Sequence, residues 1–134
     1  MKRLSGLKLL EEQEGEGTPA TKGDHVLFHM RLFLNKGDEV PRNERRAEHL
    51  PAEHLPKEMV QVVDGKTLID RTITLGRREA IAGVEHALMG MKVGGYRKVL
   101  ISPHLAYRDK GIPDLIPPEA VLIVDIWLRG IVKS

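Results

Sequence analysis

The sequence contains no cysteine. Disulfides, thiol catalysis and cysteine-ligated metals are excluded, and the chain suits a reducing cytoplasm, where we expect it. Aromatic side chains are scarce at 4%: Phe28, Phe33, Tyr96, Tyr107 and Trp127 are all there are. Any binding pocket must therefore be built mostly from aliphatic residues. No stretch approaches the roughly 18 consecutive apolar residues of a membrane-spanning helix, so no membrane partner is expected. The first residues are basic but turn acidic by Glu11, with only short apolar patches, unlike a secretory signal. Charge of one sign is lacking too: 21 basic residues face 19 acidic ones, for a net +2. Such a balance makes no electrostatic case for a nucleic-acid partner.

What is there describes a globular chain. The 134 residues are 41% hydrophobic and 30% charged, enough to bury one core. A single domain over residues 1–134, acting as a monomer, is expected. Residues 7–10 read as a short strand, and the Gly- and Pro-containing run at 14–24 as a turn-rich connection. Residues 26–34 are apolar except for His29 and Arg31, which predicts a strand buried on one face and partly covered on the other. A turn at 35–38 ends it. Residues 59–63 and 67–75 predict two strands around Asp64-Gly65. From 78 to 91 the spacing of Ile81, Val84, Leu88 and Met91 predicts a helix with one apolar face. Residues 96–102 and 121–131 predict strands, with a Pro-rich loop at 103–119 between them. Strands around one short helix make an α+β class.

Residues 41–63 differ from their surroundings. They hold three prolines, many charges and a tandem repeat, AEHLP at 47–51 and again at 52–56. Proline removes a backbone donor and disfavours helix in the residue before it. The segment therefore predicts a surface insertion, and two copies of five residues are too few for a solenoid. His49 and His54 beside Glu48 and Glu53 raise a metal site, but a five-residue spacing broken by proline does not put them on one helix face. No metal and no other cofactor is expected.

Residues 75–128 carry an ordered set of short motifs: Leu75-Gly76, Ile81-Ala82-Gly83, Gly90-Met91, Val93-Gly94, Ile101-Ser102-Pro103, Ala106-Tyr107, Gly111 and Ile116-Pro117-Pro118. In order and spacing they resemble the C-terminal half of FKBP-type peptidyl-prolyl cis-trans isomerases. Residues 15–40 resemble the family's opening more loosely. The resemblance implies an antiparallel, strongly twisted sheet wrapped around one short helix. It puts the 41–63 insertion, as a loop or hairpin, where the family has a bulge that splits a strand.

The implied chemistry is rotation of an X-Pro amide in polypeptide substrates, assisting protein folding. Partial double-bond character makes that rotation slow, and no nucleophile or metal is needed to speed it. An apolar pocket that grips the proline ring favours the twisted, less polar amide, and a few hydrogen bonds hold the flanking carbonyls. By resemblance Val84 is the pocket floor, where well-known relatives have Trp. Ala80 and Ile81 form its edge, with the Ile81 N–H as a donor to the ligand. The Tyr107 hydroxyl bonds a ligand carbonyl, and Leu115 and Ile116 are the rim. Met30, Val40 and Val124 replace aromatic walls. Asp70 is one candidate for the family's pocket Asp, Pro41 the other by a different register. Arg71 stands in or near the place of a wall, where it either meets an acidic client or points to solvent. The lost aromatics imply weak macrolide binding and low or shifted activity. A catalytically weak peptide-binding or chaperone module on the same fold is the alternative. A metal-responsive protein is a third reading, resting on the AEHLP repeat alone.

Overall fold

The computed structural model describes residues 5–40, 60–63, 66–69 and 71–133. The central pair is β2 (His25–Leu34) and β8 (Leu122–Val132), antiparallel along their length. Both sequences alternate, so Val26, Phe28, Met30 and Leu32 meet Leu122, Val124, Ile126 and Leu128 on one buried face. Strand β7 (Tyr96–Ile101) flanks β8, and β1 (Leu7–Gln13) flanks β7. Strand β1 runs three residues past its expected end. Across β7, Glu11 lies opposite Lys98 and Glu12 opposite Arg97, and these opposite charges extend the pairing beyond the apolar residues.

The other edge of β2 is shared by two pieces. Strand β3 (Glu39–Val40) pairs with Leu32 and Phe33, and β6 (Arg71–Thr74) pairs with residues 25–28. Between these pieces in the chain, β4 (Val60–Val63) pairs with β5 (Lys66–Ile69) as a separate two-stranded antiparallel sheet. One strand was expected over 67–75. Its first part instead pairs with β4 and its second part with β2, because two different partners compete for one extended run. The AEHLP repeat and Asp70 lie outside the described residues.

Helix α1 is shorter than its apolar spacing predicts, spanning Ala82–Leu88. Arg78 has φ 57°, Ile81 is extended at ψ 149°, and Met89 at ψ 131° leaves the helix again. Met91 still reaches the core from beyond the helix end, so the spacing overstates the helix. The helix packs against β7 and β8. Gly83 makes the closest approach, where a Cβ would stand 2.5 Å from Ile101 Cγ2.

Two buried charged residues lock this helix. Arg97, 4% exposed, donates from Nη1 to the carbonyls of Ala87 and Met89, both at 2.9 Å, and from Nε to Glu12 at 2.7 Å. It thus satisfies carbonyls that a helix end leaves without partners. At the other end the Glu85 carboxylate accepts the Gly76 N–H at 3.1 Å, tying the preceding turn to the helix. On the outer face of the sheet Trp127 lies between His29 and Tyr96, with ring centroids 5.2 Å from each. The Tyr96 hydroxyl donates to Asp125 at 2.6 Å. Burial, reinforced by the Asp125 carboxylate, raises the Tyr96 phenol well above its ordinary range.

Replacement of Arg97 by Met should cost about 2–4 kcal/mol in urea denaturation, since it strands two carbonyls and one carboxylate. A loss under 1 kcal/mol would show that the cap is dispensable. The Tyr96 proton gives a second test. Above about pH 10 the unfolded chain releases it while the folded chain keeps it, so stability falls as pH rises. Tyr96→Phe should flatten that alkaline decline, read from denaturation midpoints at pH 9 and pH 11.

Candidate functional site

The helix start, the split edge and the loop after β7 border one cleft of about 300 Å³. Met30 enters it from β2 and Arg71 from β6. The turn before the helix supplies Arg78, Glu79 and Ala80, and the first helical turn supplies Ile81 and Val84. Tyr107 comes from the loop behind the 3₁₀ turn Pro103–Leu105.

Each wall is held from behind. Val84 is fully buried and Met30 is 5% exposed, so both belong to the core as well as to the cleft. The Ile81 carbonyl accepts the N–H groups of Val84 and Glu85 at 3.0 and 3.1 Å and begins the helix. Its own N–H has no acceptor among the described residues, as expected for a donor at a helix start. Tyr107 is half-buried against the core. Backbone bonds from Arg108 to Pro103 (2.9 Å) and from Gly111 to Tyr107 (3.0 Å) shape the loop that carries it. Arg71 has its guanidinium 5.9 Å from the centre of the Phe28 ring, a cation–π contact.

Five of the ten residues assigned by resemblance therefore meet in this cleft: Met30, Ala80, Ile81, Val84 and Tyr107. Val40 and Val124 lie in the hydrophobic core, 5% and 0% exposed. Ile116 is also buried, and its backbone exchanges two 2.8 Å hydrogen bonds with Ile112. Leu115 packs half-buried at the tip of the same loop. Those four shape the surroundings of the cleft but do not line it. Asp70 lies outside the described residues. Sequence reasoning missed Arg78 and Glu79, because an exposed charged pair before a helix reads as surface. The positive φ of Arg78 bends that turn toward the cleft, and nothing in its side-chain type announces it.

No helix among the described residues is long and apolar enough to cross a membrane. No group of three His, Asp or Glu among them could hold a metal ion.

Comparison with known proteins decides the family. Residues 16–129 match the FKBP-type peptidyl-prolyl cis-trans isomerase family. The chain belongs to that family. It is 32% identical over 130 residues to an FK506-binding protein 1A of Neurospora crassa, covering 96% of this chain and 91% of that one. An FK506-binding protein of Neisseria meningitidis serogroup B is 30% identical over 125 residues, covering 93% and 95%. Identity reaches 46% over 131 residues with an FK506-binding protein 4 of Chaetomium thermophilum, of which the match spans 22%. The antiparallel sheet with, among the described residues, one short helix is the FKBP-type architecture, and the chain is a peptidyl-prolyl cis-trans isomerase by family.

The Ile81 N–H can be tested apart from its side chain. Ile81 has φ −59°, the value a proline ring imposes, so Ile81→Pro should fold with the donor deleted. It should weaken binding of an X-Pro peptide about threefold to tenfold, while Ile81→Ala, which keeps the donor, loses only apolar contact. Equal losses in calorimetric titrations of the two variants would remove the N–H from the site.

Proposed function

We propose that this cleft holds the proline ring of an X-Pro segment over Val84 and speeds rotation of the preceding amide. One observation carries the reading: the two donors expected to hold ligand carbonyls, Tyr107 and Ile81, border the same cleft as the apolar side chains of Met30 and Val84. Substrate enters from one open side. Loss of water around the amide favours the twisted form, whose resonance and dipole are reduced. Hydrogen bonds to the flanking carbonyls fix the chain on both sides of the rotating bond. Neither a nucleophile nor a cofactor enters any step. Val40, Val124, Leu115 and Ile116 act behind the walls, setting where Met30 and Tyr107 stand. We further infer that the chain works as a monomeric single domain on folding polypeptides in the cytoplasm.

A second reading is a binding module with little turnover. It is favoured by the fact that Tyr107 is the only aromatic residue lining the cleft. Without rings the walls grip a proline less firmly, so ground-state binding survives while preference for the twisted amide declines.

A refolding or protease-coupled assay of X-Pro isomerisation separates the two. The native chain should exceed the spontaneous rate, and Tyr107→Phe should lower kcat/KM about threefold to thirtyfold through one lost hydrogen bond. Ile116→Ala, by loosening the loop, should lower it as well. Binding of Pro peptides without any acceleration across several X residues would leave the module reading standing and end the enzyme reading.

A further inference from the structure

The cleft carries charge where the family resemblance implies an aromatic wall. Among the described residues, two guanidiniums, Arg71 and Arg78, and one carboxylate, Glu79, border it. The orientation of Arg71 follows from strand geometry. Side chains alternate along β6, and Ile73, two residues on, is buried in the core at 4% exposure. Arg71 therefore points to the same face as Ile73, and Thr72 between them points outward and is exposed. The guanidinium carbon stands 5.9 Å from the centre of the Phe28 ring, and a planar guanidinium suits a carboxylate partner. Arg78 is placed by its left-handed backbone at the end of the turn that the Glu85–Gly76 hydrogen bond secures. These two cations stand on different elements and converge on one cleft, whereas the chain as a whole is nearly neutral at +2.

We propose that Arg71 and Arg78 make this cleft select X-Pro segments with an acidic side chain next to the proline. The inference rests on the proline-cleft reading and names its substrate class. The proline ring occupies the apolar half, formed by Met30, Ile81 and Val84. A neighbouring Glu or Asp then meets the cationic margin, and a Lys in that place meets repulsion. Glu79 sets the limit of the preference, since it offsets part of the positive field.

Exchange NMR on two short peptide series tests this. One series varies the residue before proline among Glu, Gln and Lys, and the other varies the residue after it in the same way. Each titration reads affinity and isomerisation rate together. In at least one series Glu should exceed Lys by about threefold to tenfold at low salt, with Gln between them, and added salt should compress the ratio. Arg71→Glu should invert the order, and Arg78→Glu should weaken it. Arg71→Gln, which removes charge without adding the opposite one, should abolish most of the difference and covers the case of a misfolded Arg71→Glu. Equal values for Glu, Gln and Lys in both series, or an order that survives the Arg71 variants, would overturn the charge selection while the neutral peptide still reports a working proline cleft. Failure of every peptide to bind or to be isomerised would instead remove the proline-cleft reading, and the charge selection with it.

Discussion

A helix of seven residues does not persist in water by itself, because nucleation costs more than so few hydrogen bonds return. In this protein its survival depends on the sheet. Gly83 lets the helix approach Ile101, Arg97 reaches from β7 to cap its last carbonyls, and Glu85 binds back to the turn before it. Each contact also fixes the helix start, and the helix start is the cleft. Ile81 and Val84 stand in the cleft on a helix that Arg97 and Gly83 hold from the far side. One element thus both packs on the sheet and lines the cleft, and β7 supports the cleft without lining it.

The cleft has a mostly aliphatic and charged lining among the described residues, with Tyr107 its one aromatic ring. Val84 and Met30 are smaller or more flexible than rings, yet both are buried and supported by the sheet. Polar positions are retained by backbone: the Ile81 N–H belongs to the helix start, and Tyr107 sits on a loop shaped by main-chain hydrogen bonds. Such groups keep their place when neighbouring side chains change. What changes is the character of the walls, where Arg71 and its ring partner Phe28 bring a charge into a site otherwise governed by apolar burial.

The split edge of β2 has a related consequence. Strands β3 and β6 cover different parts of one strand, and Arg71, the first residue of β6, lines the cleft. A sheet edge interrupted in this way also offers only short runs of unpaired backbone, which guards against pairing with another chain.

Much of this was legible in the sequence. Nearly continuous apolar runs in residues 26–34 and 121–131 mark the two central strands, since strands covered on both faces carry such runs. The ordered Gly and Pro motifs of residues 75–128 mark the family, because each sits at a turn with few alternatives. Local pattern misjudged the helix length and merged β5 with β6, as apolar spacing counts residues that reach the core by any backbone route. The family resemblance named ten site residues, of which five line the cleft and Asp70 lies outside the described residues. Sequence alone determined which elements form and to which family they belong, for those follow from local periodicity and turn chemistry. Only the tertiary structure decided that Val40, Val124 and Ile116 stand behind the cleft, and that Arg71, Arg78 and Glu79 stand on it, because facing is set by strand register and backbone torsion between distant segments.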